Sequence, residues 1–248
     1  MTMRKWRQGG VVLGVALWLA VCAQAEITQW LVGHFSVQPR QGELPSGWQP
    51  LEFEKIKEHT RYRHIVDEEG RAVIEAHSRG GSSGLVRKEE IDPVRWPVIS
   101  WSWKVDRVLA EGDATKKSGD DYPARLYITF AYDGDQVGIW EKVKFNAIRL
   151  FYGEYPPVRA LSYIWANKLV RGSMAANPYT DRVQMIAVES GAEHVGSWRR
   201  ASRNIVEDYR RAFGQEPPVI SGIAIMTDTD NTGSEATAWY GDIVLSDQ

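Results

Sequence analysis

Along most of the chain apolar and polar positions alternate with the two-residue period of half-buried strands. In "TRYRHIVDEEGRAVIEAHS", Tyr62, His64 and Val66 stand opposite Arg61, Arg63 and Ile65, a turn falls at Asp67 to Gly70, and extended chain resumes from Ala72 to His77, so a hairpin is predicted. In "ISWSWKV", Ile99, Trp101, Trp103 and Val105 oppose Ser100, Ser102 and Lys104. Leu126, Ile128 and Phe130 oppose Arg125, Tyr127 and Thr129, and the closing run sets Trp239, Ile243 and Leu245, with Gly241 on the core side, against Tyr240 and Asp242. Further β-rich runs are "VRALSYIWAN", "RVQMIAVES" and "PVISGIAIMTD", and Asp133-Gly134 has the composition of a turn between extended segments.

Helical spacing breaks this pattern in two places. Trp140, Val143, Lys144, Ala147, Ile148 and Phe151 share one helical face in "WEKVKFNAIRLFYG". In "NIVEDYRRAFG", Asn204 and Glu207 have capping-box spacing and Gly214 stands at the stop. The expected fold is therefore all-β: an antiparallel β-sandwich or jelly roll with one or two short helices in its connections.

The N-terminus changes how much of the chain this reading covers. Arg4, Lys5 and Arg7 precede an apolar stretch from Val11 to Val21 and the small-residue string Ala23-Gln24-Ala25, the layout of a cleaved secretory signal peptide over residues 1–25. Residues 26–248 then form a single domain, expected in the periplasm or outside the cell. No mature segment is long and apolar enough to span a membrane. Cys22 follows Val21 rather than the small residue usual before an acylated cysteine, and cleavage after Ala25 removes this sole cysteine, leaving no disulfide and no thiolate chemistry. The mature chain carries 27 basic and 32 acidic side chains, a net charge of −5, which argues against nucleic acid as a partner.

Four strings carry a resemblance: "SWSWKV", "KSGDDYPARLYITF", "RNIVEDYRRAFG" and "IMTDTDNTGSEATAWYGDIVL". In this order they resemble the motif series of domain-of-unknown-function family 3047, a family of exported bacterial proteins. The resemblance implies a periplasmic or secreted protein and supplies no activity. The closing "YGDIVL" also resembles the last strand of galactose-binding-like jelly rolls.

Two constellations are candidates for chemistry. Lys117, Asp120 and Asp121 crowd opposite charges beside Gly119, with Arg125 and Tyr127 following on one strand face. Together with Lys104, Tyr240 and Asp242 they are the candidate ligand-binding residues: on a concave sheet, charged groups hold hydroxyls or a carboxylate and tyrosine stacks on a sugar ring. The bland reading is a polar face in solvent and a salt-bridged loop. In "DTDNTGSE", Asp228, Asp230 and Thr232 match the first half of a calcium loop, but position 12 is Trp239, so an EF-hand is excluded. What remains is a structural calcium site or an Asx-rich turn.

No catalytic residue is identified. The five histidines lack metal-ligand spacing, and nucleophile-elbow, Walker and Rossmann signatures are absent; "RGGSSG" reads as a turn. If extended, Asp120 and Asp121 point to opposite faces, unlike a glycosidase pair. Trp165 and Trp198 fit either a core or a ligand platform. The leading expectation is an exported, non-catalytic binding module for a glycan or other polar ligand. The alternatives are a carbohydrate-active enzyme (a polysaccharide lyase or glycoside hydrolase) using the Lys117 to Arg125 segment, and a cell-envelope structural or protein-interaction domain.

Overall fold

The computed structural model describes residues 29–39, 43–54, 56–131 and 159–248. The signal segment, the Asp133-Gly134 turn and the helix expected over Trp140 to Gly153 lie outside them.

Two sheets face each other. The first contains β1 (Gln29–Gly33), β3 (Arg61–Val66), β4 (Ala72–Arg79), β6 (Val98–Val105), β11 (Arg199–Asn204) and β13 (Glu235–Ser246). Its order is β11-β6-β13-β4-β3, with β1 also pairing on β13. The second contains β2 (Gln49–Leu51), β5 (Ser82–Ile91), β7 (Arg125–Phe130), β8 (Arg159–Ala166), β9 (Met174–Asn177), β10 (Thr180–Ser190) and β12 (Ile220–Asp228). Here the order is β2-β5-β12-β7-β8-β10-β9. The architecture is the expected β-sandwich, with one departure from antiparallel pairing: β8 and β10 run parallel, and β9 folds back on β10 between them in sequence.

The alternating faces explain the core. Ile99, Trp101, Trp103 and Val105 of β6 meet Leu126, Ile128 and Phe130 of β7 and Tyr163 and Trp165 of β8. Aromatic rings bridge the sheets, with Trp101 against Tyr163 at 5.2 Å and Trp103 against Trp165 at 6.1 Å between centroids. This settles Trp165 as core. The hairpin of β3 and β4 pairs Arg63 with Glu75 and Tyr62 with Ala76, as its alternation requires.

Two readings of the pattern are corrected. The glycine-rich "RGGSSG" turns only at Gly80-Gly81, and Ser82, Ser83 and Gly84 already pair with β12, so an entire ten-residue strand begins inside it. In β13 the register shifts between Tyr240 and Ile243. That bulge reverses the parity of the strand's first half: Ala236, Ala238 and Tyr240 point inward, and Trp239 points outward.

The single described α-helix, α1 (Ile205–Phe213), has the ends its sequence predicts. The Asn204 side chain accepts from the Glu207 amide at 3.0 Å, and Gly214 takes the left-handed conformation with its N–H on the Arg210 carbonyl. Buried Asp208 accepts from the Tyr163 hydroxyl and pairs with Arg203, fastening the helix to both sheets.

Candidate functional site

Residues of the charged Lys117 to Tyr127 segment do converge, but inside the protein. Arg125 begins β7 on the face away from the core and is 2% exposed; Asp228 ends β12 and is also 2% exposed. The Arg125 Nε donates to Asp228 Oδ1 at 2.8 Å, and Nη2 donates to Asp228 Oδ2 and to the Asp120 carbonyl. Nη1 donates to Asp120 Oδ1 at 3.3 Å and to the Tyr127 hydroxyl at 3.0 Å. The Tyr122 ring packs under the guanidinium, 4.2 Å from its carbon. A guanidinium has five N–H donors, and all of those of Arg125 are engaged. Burial opposes the arginine's charge, but Asp228, then Tyr127 and Asp120, outweigh it and hold its pKa well above the ordinary value.

Asp121 works on the other side of the same turn. Its Oδ1 accepts the backbone and side-chain N–H groups of Asn231 at 3.2 Å each, and its Oδ2 accepts the Thr232 amide at 2.6 Å and hydroxyl at 2.7 Å. Asp120 and Asp121 thus face opposite ways. Asp120 Oδ2 also takes the Asn177 amide at 2.7 Å. Lys117 sits at the edge in a single 3-10 turn, its ammonium 5.3 Å from the Tyr179 ring centre and its carbonyl 3.1 Å from the Tyr179 hydroxyl. The cluster ties the Lys117 to Asp121 turn to the ends of β7 and β12. The expectation of an open rim is corrected: Arg125 has no donor left for a ligand, because the loops bury it.

Asp121, Asp228 and Asp230 could together hold a metal ion, since each can place a carboxylate oxygen within 4.8 Å of the others. The Thr232 hydroxyl donates to Asp121 Oδ2 at 2.7 Å beside this group. Calcium takes six to eight oxygen ligands. Here both Asp228 oxygens accept from Arg125, and each Asp121 oxygen already accepts two hydrogen bonds. This donor set fits a capped turn better than a calcium cage. Burial first, then the charge of Asp121, raises the Asp230 carboxyl above its ordinary value.

The remaining candidates lie on the first sheet and split up. Tyr240 is fully buried, its hydroxyl donating to the Met226 carbonyl at 2.7 Å and meeting Thr227 Oγ1 at 2.9 Å, so it is a core residue rather than a surface one. Its neighbour Asp242 accepts the Ser36 amide and hydroxyl, both at 2.7 Å.

Lys104 stands elsewhere, on the outer face, paired across the strands with Trp239. Its ammonium lies 4.8 Å from the Trp239 ring centre and 5.5 Å from that of Trp198, and 3.4 Å from Glu69 Oε1. The Arg71 guanidinium covers Trp198 at 5.4 Å and meets Glu69 at 2.8 Å. Both tryptophans are half-buried, and the Trp198 indole N–H has no hydrogen-bond partner among the described residues. Strand pairing extends this row from Trp239 to Glu75 and from Glu75 to Arg63. The β13 pattern alone had placed Trp239 inside; the available signal was Gly241, since an isolated glycine in a strand marks a bulge. At Gly241 a Cβ would come within 2.2 Å of Ser102 Oγ.

A family model described as "Protein of unknown function (DUF3047)" matches residues 46–244. No curated protein matches the chain. Among solved structures, the chain is similar to the family 11 carbohydrate-binding module of the cellulosomal cellulase Lic26A-Cel5E of Clostridium thermocellum, at 14% identity and a TM-score of 0.43, covering 88% of this chain and 94% of that one. A family 11 carbohydrate-binding module from Clostridium thermocellum in complex with a β-1,3-1,4-mixed-linked tetrasaccharide gives 14% identity, a TM-score of 0.38 and the same coverage. A family 29 carbohydrate-binding module complexed with cellulohexaose gives 10% identity and a TM-score of 0.36, with 89% and 92% covered. At these scores no residue correspondence follows.

Proposed function

Since the chain belongs to the DUF3047 family, whose description states no activity, we propose a function from its own surfaces: a non-catalytic binding protein that holds a glycan on the outer face of the first sheet. The observation that carries this reading is the row in which Lys104 stands between Trp239 and Trp198, with Glu69 and Arg71 beside it. Indole rings offer a flat apolar surface to the C–H face of a sugar, while the lysine, arginine and glutamate supply donors and acceptors for its hydroxyls. Paired strands fix the spacing of Trp239 and Lys104, so little ordering of these two is needed when a ligand arrives.

In this reading the Arg125 cluster is the clamp that ties the Lys117 to Asp121 turn to the ends of β7 and β12. The protein acts outside the cytoplasm, a proposal that rests on the Arg4 to Ala25 segment. The test is a glycan-array screen of the wild-type protein beside Trp239→Ala. Selective glycan binding that the variant loses while keeping its circular dichroism supports the proposal. Binding that survives the substitution unchanged removes this face as the site, and a wild-type protein that binds no glycan removes the function.

A further inference from the structure

Trp239 and Lys104 stand on paired strands, whereas Trp198 belongs to the connection from β10 of the second sheet to β11 of the first, so strand pairing alone does not hold it in the row. The register of β11 on β6 pairs Arg199 with Trp103 and Arg200 with Ser102, and one step earlier it sets Trp198 opposite Lys104. Successive residues of a strand point to opposite faces. Trp198 and the exposed Arg200 therefore lie outside, and Arg199 turns inward beside the buried Trp103.

Inside, Arg199 meets a carboxylate from the other sheet. Its Nε donates to Glu189 Oε1 at 3.1 Å, and Arg171 approaches the same oxygen at 3.7 Å. Glu189 is buried, and a bulge aims it inward: the register of β10 on β8 shifts between Ala187 and Glu189, so Ala187 pairs with Ile164 while Glu189 pairs with the core residue Trp165. Without the extra residue Val188, Glu189 would share the outer face of Met185 and Ala187. The ion pair thus runs beside the contact of Trp103 with Trp165 that bridges the sheets. Main chain supplies a second anchor, because Gly196, left-handed at φ 77°, donates its N–H to the Val105 carbonyl at 2.8 Å. Trp198 lies between the two.

Resting on the glycan-binding reading above, we infer that Glu189 is a positioning residue for the tryptophan row: through Arg199 it fixes the start of β11, and with it the Trp198 indole opposite Lys104. It does so from the other sheet and never meets the ligand. A carboxylate buried in this way depends on its cations. Removing its charge releases the inner anchor and leaves the outer contacts of Trp198 with Lys104 and Arg71 in place.

The test follows the indole N–H signals of the full chain by nuclear magnetic resonance, first without any glycan. In Glu189→Gln the Trp198 signal should shift or broaden while that of Trp48, whose N–H donates to the Val32 carbonyl, stays in place. Arg199→Gln removes the same pair from its more exposed partner and leaves Glu189 beside Arg171, so it serves even where Glu189→Gln fails to fold. Arg199→Lys keeps a cation for Glu189 and should keep the wild-type signal. On the glycan array, Glu189→Gln should weaken binding of the best wild-type glycan by about threefold to tenfold, and it should add no further loss to Trp198→Ala.

A Trp198 signal unmoved in both Glu189→Gln and Arg199→Gln would overturn the inference and leave the glycan reading standing. An equal loss of binding with and without Trp198 would overturn it too, since Glu189 would then act by another route. A lowered melting temperature with signal and affinity unchanged marks a purely structural pair and has the same force. A wild-type protein that binds no glycan removes the function proposed above, whereas the indole signals still decide for or against Glu189 as the residue that places Trp198.

Discussion

Arg125 commits every N–H of its guanidinium to partners inside the protein, and this decides how its loss should read out. Arg125→Ala leaves Asp228 buried without its cation, and removing one partner of a buried pair costs about 3 to 5 kcal/mol. Urea denaturation of the variant should show a loss of that size, and a loss under about 1 kcal/mol would mean that the pair is effectively solvated. The buried tyrosines lead to a second outcome. Burial raises the pKa of Tyr62, Tyr127, Tyr163 and Tyr240 above the ordinary tyrosine value. The folded protein therefore keeps protons that the unfolded chain releases, and stability should fall as pH rises above about 10. Tyrosinate absorbance for these residues should appear together with unfolding; its appearance in a still-folded protein would contradict their burial. At this scale the sequence was only partly legible. The polar face of Arg125 and Tyr127 could be read from alternation, but Asp228, 103 residues further on, could not be paired with Arg125 from a single chain.

Among elements, legibility followed the strength of local signals. The β3–β4 hairpin and α1 have their turn, cap and stop residues in place, and both stand where the pattern predicts them. β5 was hidden because Gly80-Gly81 and two serines look like a loop, whereas the turn occupies only the glycines. That turn is tight: a Cβ at Gly81 would lie 2.5 Å from the Glu58 carbonyl oxygen. Gly81→Ala should destabilise by about 1 to 3 kcal/mol through overpacking, and a neutral thermal melt would show that the Glu58 segment can move aside. The Asp228 to Thr232 segment offers a comparable check. Because Asp121 already caps its amides, the melting temperature should be the same in calcium as in chelator; specific binding of calcium would instead add RT ln(1 + [L]/Kd), about 2.7 kcal/mol at a hundredfold excess over Kd. The β13 bulge had the widest consequence, since one shift of register moved Tyr240 into the core and Trp239 onto the surface.

Across the whole molecule, the residues that looked like one site divide between two sheets with different tasks. At the ends of two central strands of the second sheet, a network of Arg125, Asp120, Asp121 and Asp228 locks loops to strand ends. On the outer face of the first, Trp239, Lys104 and Trp198 form a row of two indoles about one ammonium. Architecture was legible because strand alternation is a short-range property. The division of labour was not, because it depends on which strands become neighbours and on a bulge that reverses one of them. Ligand should meet the tryptophan row and not the arginine cluster. The deciding measurement is nuclear magnetic resonance of the side-chain N–H groups during titration with the glycan that binds best. The indole signals of Trp198 and Trp239 should move with the ligand while those of the fully buried Trp103 and Trp165 and the Nε–H of Arg125 stay in place. Movement confined to the Arg125 signal, with both outer indoles unchanged, would contradict it.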